Sequence, residues 1–295
     1  MGKKVFAVIF VCILILSLVL TYGIVLPYLE GSDNPSTDSE RHFTWLYDFE
    51  SHDWSTLAQQ VKEFGFTDVF LSINARRLNL DDPTYNVTYE DQLVAFLNQF
   101  NDQGIATSFM ILQDPLFCTE WDSTLVHLSG LKHFVGRNPT VPLKGIHLDT
   151  EPHASEDWGG LSSTDQADLF GSFMTLLTNV SAFVETHLEV ELSAAVPWWF
   201  AERNFTSSYP GALVGSYDFL VFMVYGGVGS EVSHYSRVED ELLVIPGVLG
   251  IGVEEFSNES ELLAFRSALH QSYQANPSYV GTSVYSFNKL LTLVN

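Results

Sequence analysis

Two cysteines in 295 residues, Cys12 and Cys118, exclude a disulfide framework. Cys12 lies in an apolar N-terminal run, so the rest of the chain carries one thiol and must be held together by packing. Basic residues are equally scarce: 13 Lys and Arg stand against 36 Asp and Glu, a formal net charge of −23. A surface of that sign repels phosphate backbones and anionic headgroups, which excludes nucleic acid as a partner held by general charge. The chain also lacks a P-loop, a Gly-rich dinucleotide turn after its first strand, a paired-Cys metal motif and any short-period repeat. No cofactor and no resident metal are expected.

What is abundant is apolar: 46% of residues are hydrophobic and 14% aromatic, enough for one large core. The run from Val5 to Leu26 follows Lys3 and Lys4 and is almost wholly apolar. A helix needs ~20 such residues to cross a bilayer. The run exceeds a signal-peptide core and "TYGIVLPYLEG" offers no small-residue cleavage site, so residues 1–30 read as an uncleaved signal anchor. With Lys3 and Lys4 inside, the remainder lies outside the membrane, or is secreted if the segment is cut. Residues 31–41, "GSDNPSTDSER", read as a polar tether to a domain spanning 42–295. Four Asn-x-Ser/Thr sequons, at Asn86, Asn179, Asn204 and Asn258, agree with an extracytoplasmic glycoprotein.

Beyond the tether, short apolar runs alternate with helical periodicity. The strand-like runs are "HFTWLYDF", "TDVFLSINA", "IATSFMIL", "LKGIHLD", "VELSAAVPWW", "YDFLVFMVYGG", "GVLGIGV" and "SYVGTSVYSF". Between them lie amphipathic segments such as "YEDQLVAFLNQFNDQG" and "STDQADLFGSFMTLLTNVSAFVETH". Eight strands alternating with helices over roughly 250 residues predict an α/β fold, a closed (β/α)8 TIM barrel.

Barrel enzymes place their chemistry at the C-terminal strand ends. Here those ends carry Asp48, Asn74, Arg76, Gln113, Asp149, Glu151, Trp198, Trp199, Tyr225, Glu254, Tyr285 and Asn288. Carboxylates, amides and aromatic rings together suit a carbohydrate, whose hydroxyls take hydrogen bonds while its C–H faces stack on rings. The sharpest cluster is "KGIHLDTEPH". In a strand, His147, Asp149 and Glu151 share one face, with the two carboxyls ~6.6 Å apart along it. Two carboxyls so placed do not both ionise easily, and one can hold a proton as general acid. Glu151, nearer the mouth, is the expected donor and Asp149 its partner. His147, set deeper, reads as a buried hydrogen-bonded residue or a substrate contact. A divalent-metal site built from His147, Asp149 and Glu151 is the less favoured alternative.

"KGIHLDTE" resembles the strand-four signature Asp-Gly-x-Asp-x-Asp-x-Glu of the chitinase-type glycoside hydrolases of family 18. Gly145, Asp149 and Glu151 match, and Lys144 and His147 replace two aspartates. "MVYG" at 223–226 resembles the family's Met-x-Tyr-Asp, and "GTSVYSFN" its last strand, with Tyr285 where Trp is common. The resemblance implies a retaining, substrate-assisted mechanism. Glu151 protonates the leaving oxygen, the substrate's acetamido group attacks the anomeric carbon, and Asp149 and Tyr225 position that group. "DTEPH" is also similar to the Asn-Glu-Pro of clan A retaining glycosidases. That likeness implies Glu151 as acid/base and Glu254 as nucleophile, supported by Arg76 and Tyr225. Alternatively, Glu254 and Glu255 form a solvated pair opening the next helix.

The expected function is therefore hydrolysis of extracellular or cell-surface glycans, with Trp198, Trp199, Arg76, Asn74, Tyr285 and His147 as substrate contacts. A catalytically silent barrel that binds glycan through the same mouth is the competing expectation, since two motif aspartates are replaced.

Overall fold

The structure, a computed structural model, describes residues 40–73, 75–79, 82–203, 209–224 and 232–294. The expected anchor and most of the tether lie outside those residues.

Eight parallel strands close a barrel. They are β1 (Arg41–Leu46), β2 (Asp68–Ser72), β5 (Ala106–Ile111), β6 (Leu143–Leu148), β7 (Glu191–Pro197), β8 (Phe219–Met223), β9 (Gly247–Gly252) and β10 (Tyr279–Tyr285). Each pairs with its neighbours in chain order, and β1 closes the ring against β10. All eight strand-like runs of the sequence are barrel strands. Two further strands, β3 (Ala75–Asn79) and β4 (Asp82–Val87), form a separate antiparallel hairpin on the β2 side, packed against the helix Trp121–Arg137.

Strand alternation divides the core in two. Inward residues fill the barrel itself with Phe43, Trp45, Phe70, Met110, Phe219 and Val221. Outward residues such as Leu46, Leu71, Phe109, Ile146 and Leu148 pack beneath the helices. Parallel strands covered on both faces read as near-continuous apolar runs, which is how they appear in the sequence. The helix Ser163–His187 is long and apolar enough to cross a membrane by length and hydropathy. Its Phe170, Phe173, Leu177, Val180 and Val184 recur at helical spacing and are buried in the shared core, so it is an outer-layer helix of the barrel.

At the N-terminal end of the barrel Arg41 acts as a plug. It ion-pairs with Asp68 and with Glu191 (3.1 Å), and its guanidinium lies 4.7 Å from the Phe43 ring centroid. Lys144 adds a 2.7 Å pair to Glu191. Two glycines let the backbones close here. A Cβ on Gly145 would sit 2.8 Å from the Glu191 carbonyl oxygen, and one on Gly281 (φ 156°) would sit 1.8 Å from that of Arg41. With one end sealed by charge and rings, the C-terminal end is left for a site.

Candidate active site

On β6 the odd-numbered residues face inward. Gly145 lies against the plug and His147 at mid-depth, with Asp149 and Glu151 just past the strand's end; Ile146, Leu148 and Thr150 are buried on the opposite side. Thr150 donates to the Leu112 carbonyl, which fastens the strand end to the neighbouring loop. Pro152 then opens a short 3-10 turn (Pro152–Ala154), so the chain leaves the strand at Glu151.

His147 is fully enclosed. Its ring stacks on Phe70 at 3.8 Å, stands edge-on to Trp45 at 6.0 Å, and its Nδ1 bonds the Ser193 hydroxyl at 2.9 Å. Burial pushes its pKa down to about 3, so the ring is neutral at physiological pH. It is a layer of the barrel core lying beneath the mouth. Among the described residues no group of three or more His, Cys, Asp or Glu side chains is arranged to hold a metal ion.

Asp149 is 9% exposed and accepts hydrogen bonds from the side chains of Tyr47 and Gln113. Ser72 donates to Gln113 Oε1 at 2.9 Å, which turns the Gln113 amide nitrogen toward Asp149. Asn288 clamps the Tyr47 backbone, accepting from its N–H at 3.3 Å. The Asp149 carboxyl is pushed well above the usual carboxylate range, chiefly by burial and then by the charge of Glu151; its two donors offset part of this. Glu151, 28% exposed, is also raised, by burial. Both shifts favour the protonated forms, so the pair gives up its protons at higher pH than an exposed pair would.

His153 reaches back to Glu151, Nε2 to Oε2 at 3.5 Å. Burial pushes His153 down to about 4, so it is neutral, and the contact is a weak polar one rather than an ion pair. The His153 ring meets Trp199 edge-on at 5.4 Å, and Trp199 lies 6.1 Å from Trp158. Glu151 is therefore backed by an aromatic wall that begins two residues after it. Half-buried Trp198 has the Arg237 guanidinium 4.3 Å from its ring centroid.

The remaining expected residues fall into four groups. Tyr285 belongs to the mouth, edge-on to both Trp45 (5.8 Å) and Tyr47 (6.3 Å). Glu254 sits in the 3-10 turn Val253–Glu255 after β9, half exposed and 3.4 Å from Lys289 Nζ, whose ammonium also lies over the Tyr285 ring. Glu255 beside it is half-buried and its charge acts on the buried Tyr235 hydroxyl. Arg76, read as the end of the second barrel strand, belongs instead to the hairpin, where it faces Asn86. The reason is that β2 ends at Ser72 and the chain then turns out of the barrel. Asn74 and Tyr225 lie outside the described residues.

Tyr47, Ser72, His153 and Trp158 were missed as site residues. Parity was the available signal for Tyr47: Phe43, Trp45 and Tyr47 alternate on one face of β1, the face that looks at β6. Ser72 follows from the same rule on β2. Nothing local marks His153 or Trp158, which reach the site through 3-10 turns.

An eight-stranded parallel barrel, carrying a pair of carboxyl groups just past the C-terminal end of one strand, defines the class: a (β/α)8 TIM barrel. Neither a protein-family model nor a curated protein matches this sequence. Solved structures share the fold. An exo-β-1,4-mannosidase from Opitutaceae bacterium strain TAV5 superposes with a TM-score of 0.59 at 11% identity, covering 84% of this chain and 51% of that one. An endo-1,4-β-D-mannanase from Thermotoga petrophila RKU-1, solved with maltose and glycerol, gives 0.56 at 10% identity, covering 84% and 88%. A xylanase and α-amylase inhibitor protein from Scadoxus multiflorus gives 0.51 at 11% identity, covering 86% and 98%. At such identities the likeness is one of fold, and it spans enzymes and an enzyme inhibitor alike.

Proposed function

We propose that the chain is a retaining glycoside hydrolase acting on extracellular or cell-surface glycans, held to the membrane by residues 1–30. The observation that carries this reading is the Asp149–Glu151 pair, both raised and both just past the C-terminal end of β6. Glu151 is the more exposed and stands against the aromatic wall, so it is the group able to reach a glycosidic oxygen. Asp149, gripped by Tyr47 and Gln113, is a fixed partner that holds or accepts the proton the two share. In the substrate-assisted form, a neighbouring acetamido group attacks the anomeric carbon as Glu151 protonates the leaving oxygen. The Lys289 pair at Glu254 favours this form over a two-glutamate mechanism.

A second reading, a silent glycan-binding barrel, has its own support: Lys144 and His147 are absorbed into the plug and the core, where two aspartates of the resembled motif would stand. Calorimetric titration with oligosaccharides, run beside turnover of a panel of aryl glycosides, separates the two. The enzyme reading expects turnover that Glu151→Gln abolishes while binding persists. Binding without turnover in the wild-type protein sinks it in favour of the silent barrel.

A further inference from the structure

Outside the barrel wall lies a cleft of about 420 Å³ between the 3-10 turn Pro115–Cys118, the start of the helix Trp121–Arg137 and the middle of the helix Ser163–His187. Phe117 and Trp121 supply its aromatic side. Ser172, Thr175 and Asn179 supply its polar side, at i, i+3 and i+7 on one helix face. Asn179 is the acceptor of an intact sequon, Asn179-Val180-Ser181, and is exposed at the rim. We propose that this cleft is the seat of an N-linked oligosaccharide carried by Asn179, whose first sugar lies in it against Trp121 and Phe117.

Two features converge on that occupant. The cleft falls in the volume range of ligand sites and joins ring faces to hydroxyls, the pairing a pyranose takes. Its occupant can be tethered covalently at the rim, so no free ligand is required. Asn258, whose Oδ1 caps its helix by accepting from the Glu261 N–H at 3.0 Å, serves as the comparison site.

The burial pattern also sets the order of events. Val180 is 0% and Ser181 8% exposed, and the Ser181 hydroxyl donates to the Ser216 carbonyl at 3.2 Å, so the sequon cannot be presented to a transferase once this helix has docked. Transfer therefore precedes docking. A C1–N bond forms to Asn179 Nδ2, the C1–O bond of a lipid-phosphate-linked oligosaccharide breaks, and the amide proton leaves with the phosphate. As the helix docks, the sugar is carried to the cleft.

The inference needs the extracytoplasmic placement proposed above, and the test keeps the two apart. The full chain is expressed in yeast, its glycopeptides are mapped by mass spectrometry, and native protein is digested with peptide-N-glycosidase F. Expected are glycans on both Asn179 and Asn258, with release from Asn179 at least tenfold slower and restored to the Asn258 rate by denaturation. Trp121→Ala, which leaves the sequon intact, should keep occupancy and speed native release. Glycan on Asn258 alone overturns the cleft proposal and spares the placement, whereas no glycan at either site overturns both. Equal native release rates at the two sites show a glycan that does not occupy the cleft, and overturn the proposal as well.

Discussion

Asp149 and Glu151 illustrate how far two positions of one strand can diverge. Both face the barrel axis, yet Asp149 is enclosed by Tyr47 and Gln113 while Glu151 has a route to solvent. Because the Glu151 charge contributes to raising Asp149, replacing Glu151 with Gln should lower the Asp149 pKa. Carboxyl-carbon NMR with labelled aspartate checks this; an unchanged or higher value contradicts the coupling. The residues of this pair were legible in the sequence because period-2 parity is a local property. Their donors were less so. Gln113 stands at a recognisable strand end, but its orientation depends on Ser72, 41 positions away. His153 and Trp158 enter through turns whose paths no periodicity records.

At the scale of elements, the barrel strands were readable because each is short, apolar and bounded by helical patterns. The β3–β4 hairpin was not, since its Arg76, Arg77, Asn79, Asp82 and Pro83 have the composition of a loop. It exists through tertiary contact with the helix Trp121–Arg137. Close strand packing makes two predictions. Gly145→Ala places a methyl against the Glu191 carbonyl and the Ser108 hydroxyl (2.9 Å) and should cost roughly 1–3 kcal/mol, as overpacking does. Urea unfolding reads it, and a neutral result contradicts the crowding. Arg41→Met removes the partner of Asp68, whose side chain is only 7% exposed. The loss should be about 3 kcal/mol, the low end for breaking a buried pair because Arg41 is itself 23% exposed. The double variant Arg41→Met/Asp68→Leu should recover part of it. No recovery argues that the plug acts through the ring contacts of Arg41.

For the molecule as a whole, stability rests on the two apolar layers inside and outside the barrel wall, and its pH dependence follows from the groups sealed inside. His147 and His153 are pushed down to about 3 and about 4 from an ordinary value of 6.5. Between those values and 6.5 the unfolded chain binds protons that the folded chain refuses, so stability falls as pH falls through that window. Each histidine contributes a slope of up to ~1.4 kcal/mol per pH unit. The raised carboxyls have the opposite sign: their contribution is full below the ordinary carboxylate range and is lost as pH rises through their folded values. Urea unfolding at stepped pH from 4 to 7 should therefore show a shallower acid slope in His147→Gln than in the wild-type protein. Identical slopes would mean that His147 takes up its proton without unfolding.

The central claim, that Glu151 is the acid of a glycosidase built on this barrel, is tested most directly by kcat/KM on N-acetylated and non-acetylated aryl glycosides for the wild-type protein, Glu151→Gln and Glu254→Gln. The account predicts cleavage confined to N-acetyl sugars, a loss of roughly 10²–10⁴ in Glu151→Gln, and little change in Glu254→Gln. Equal losses in both variants on sugars without the acetamido group, or full activity in Glu151→Gln, would contradict it.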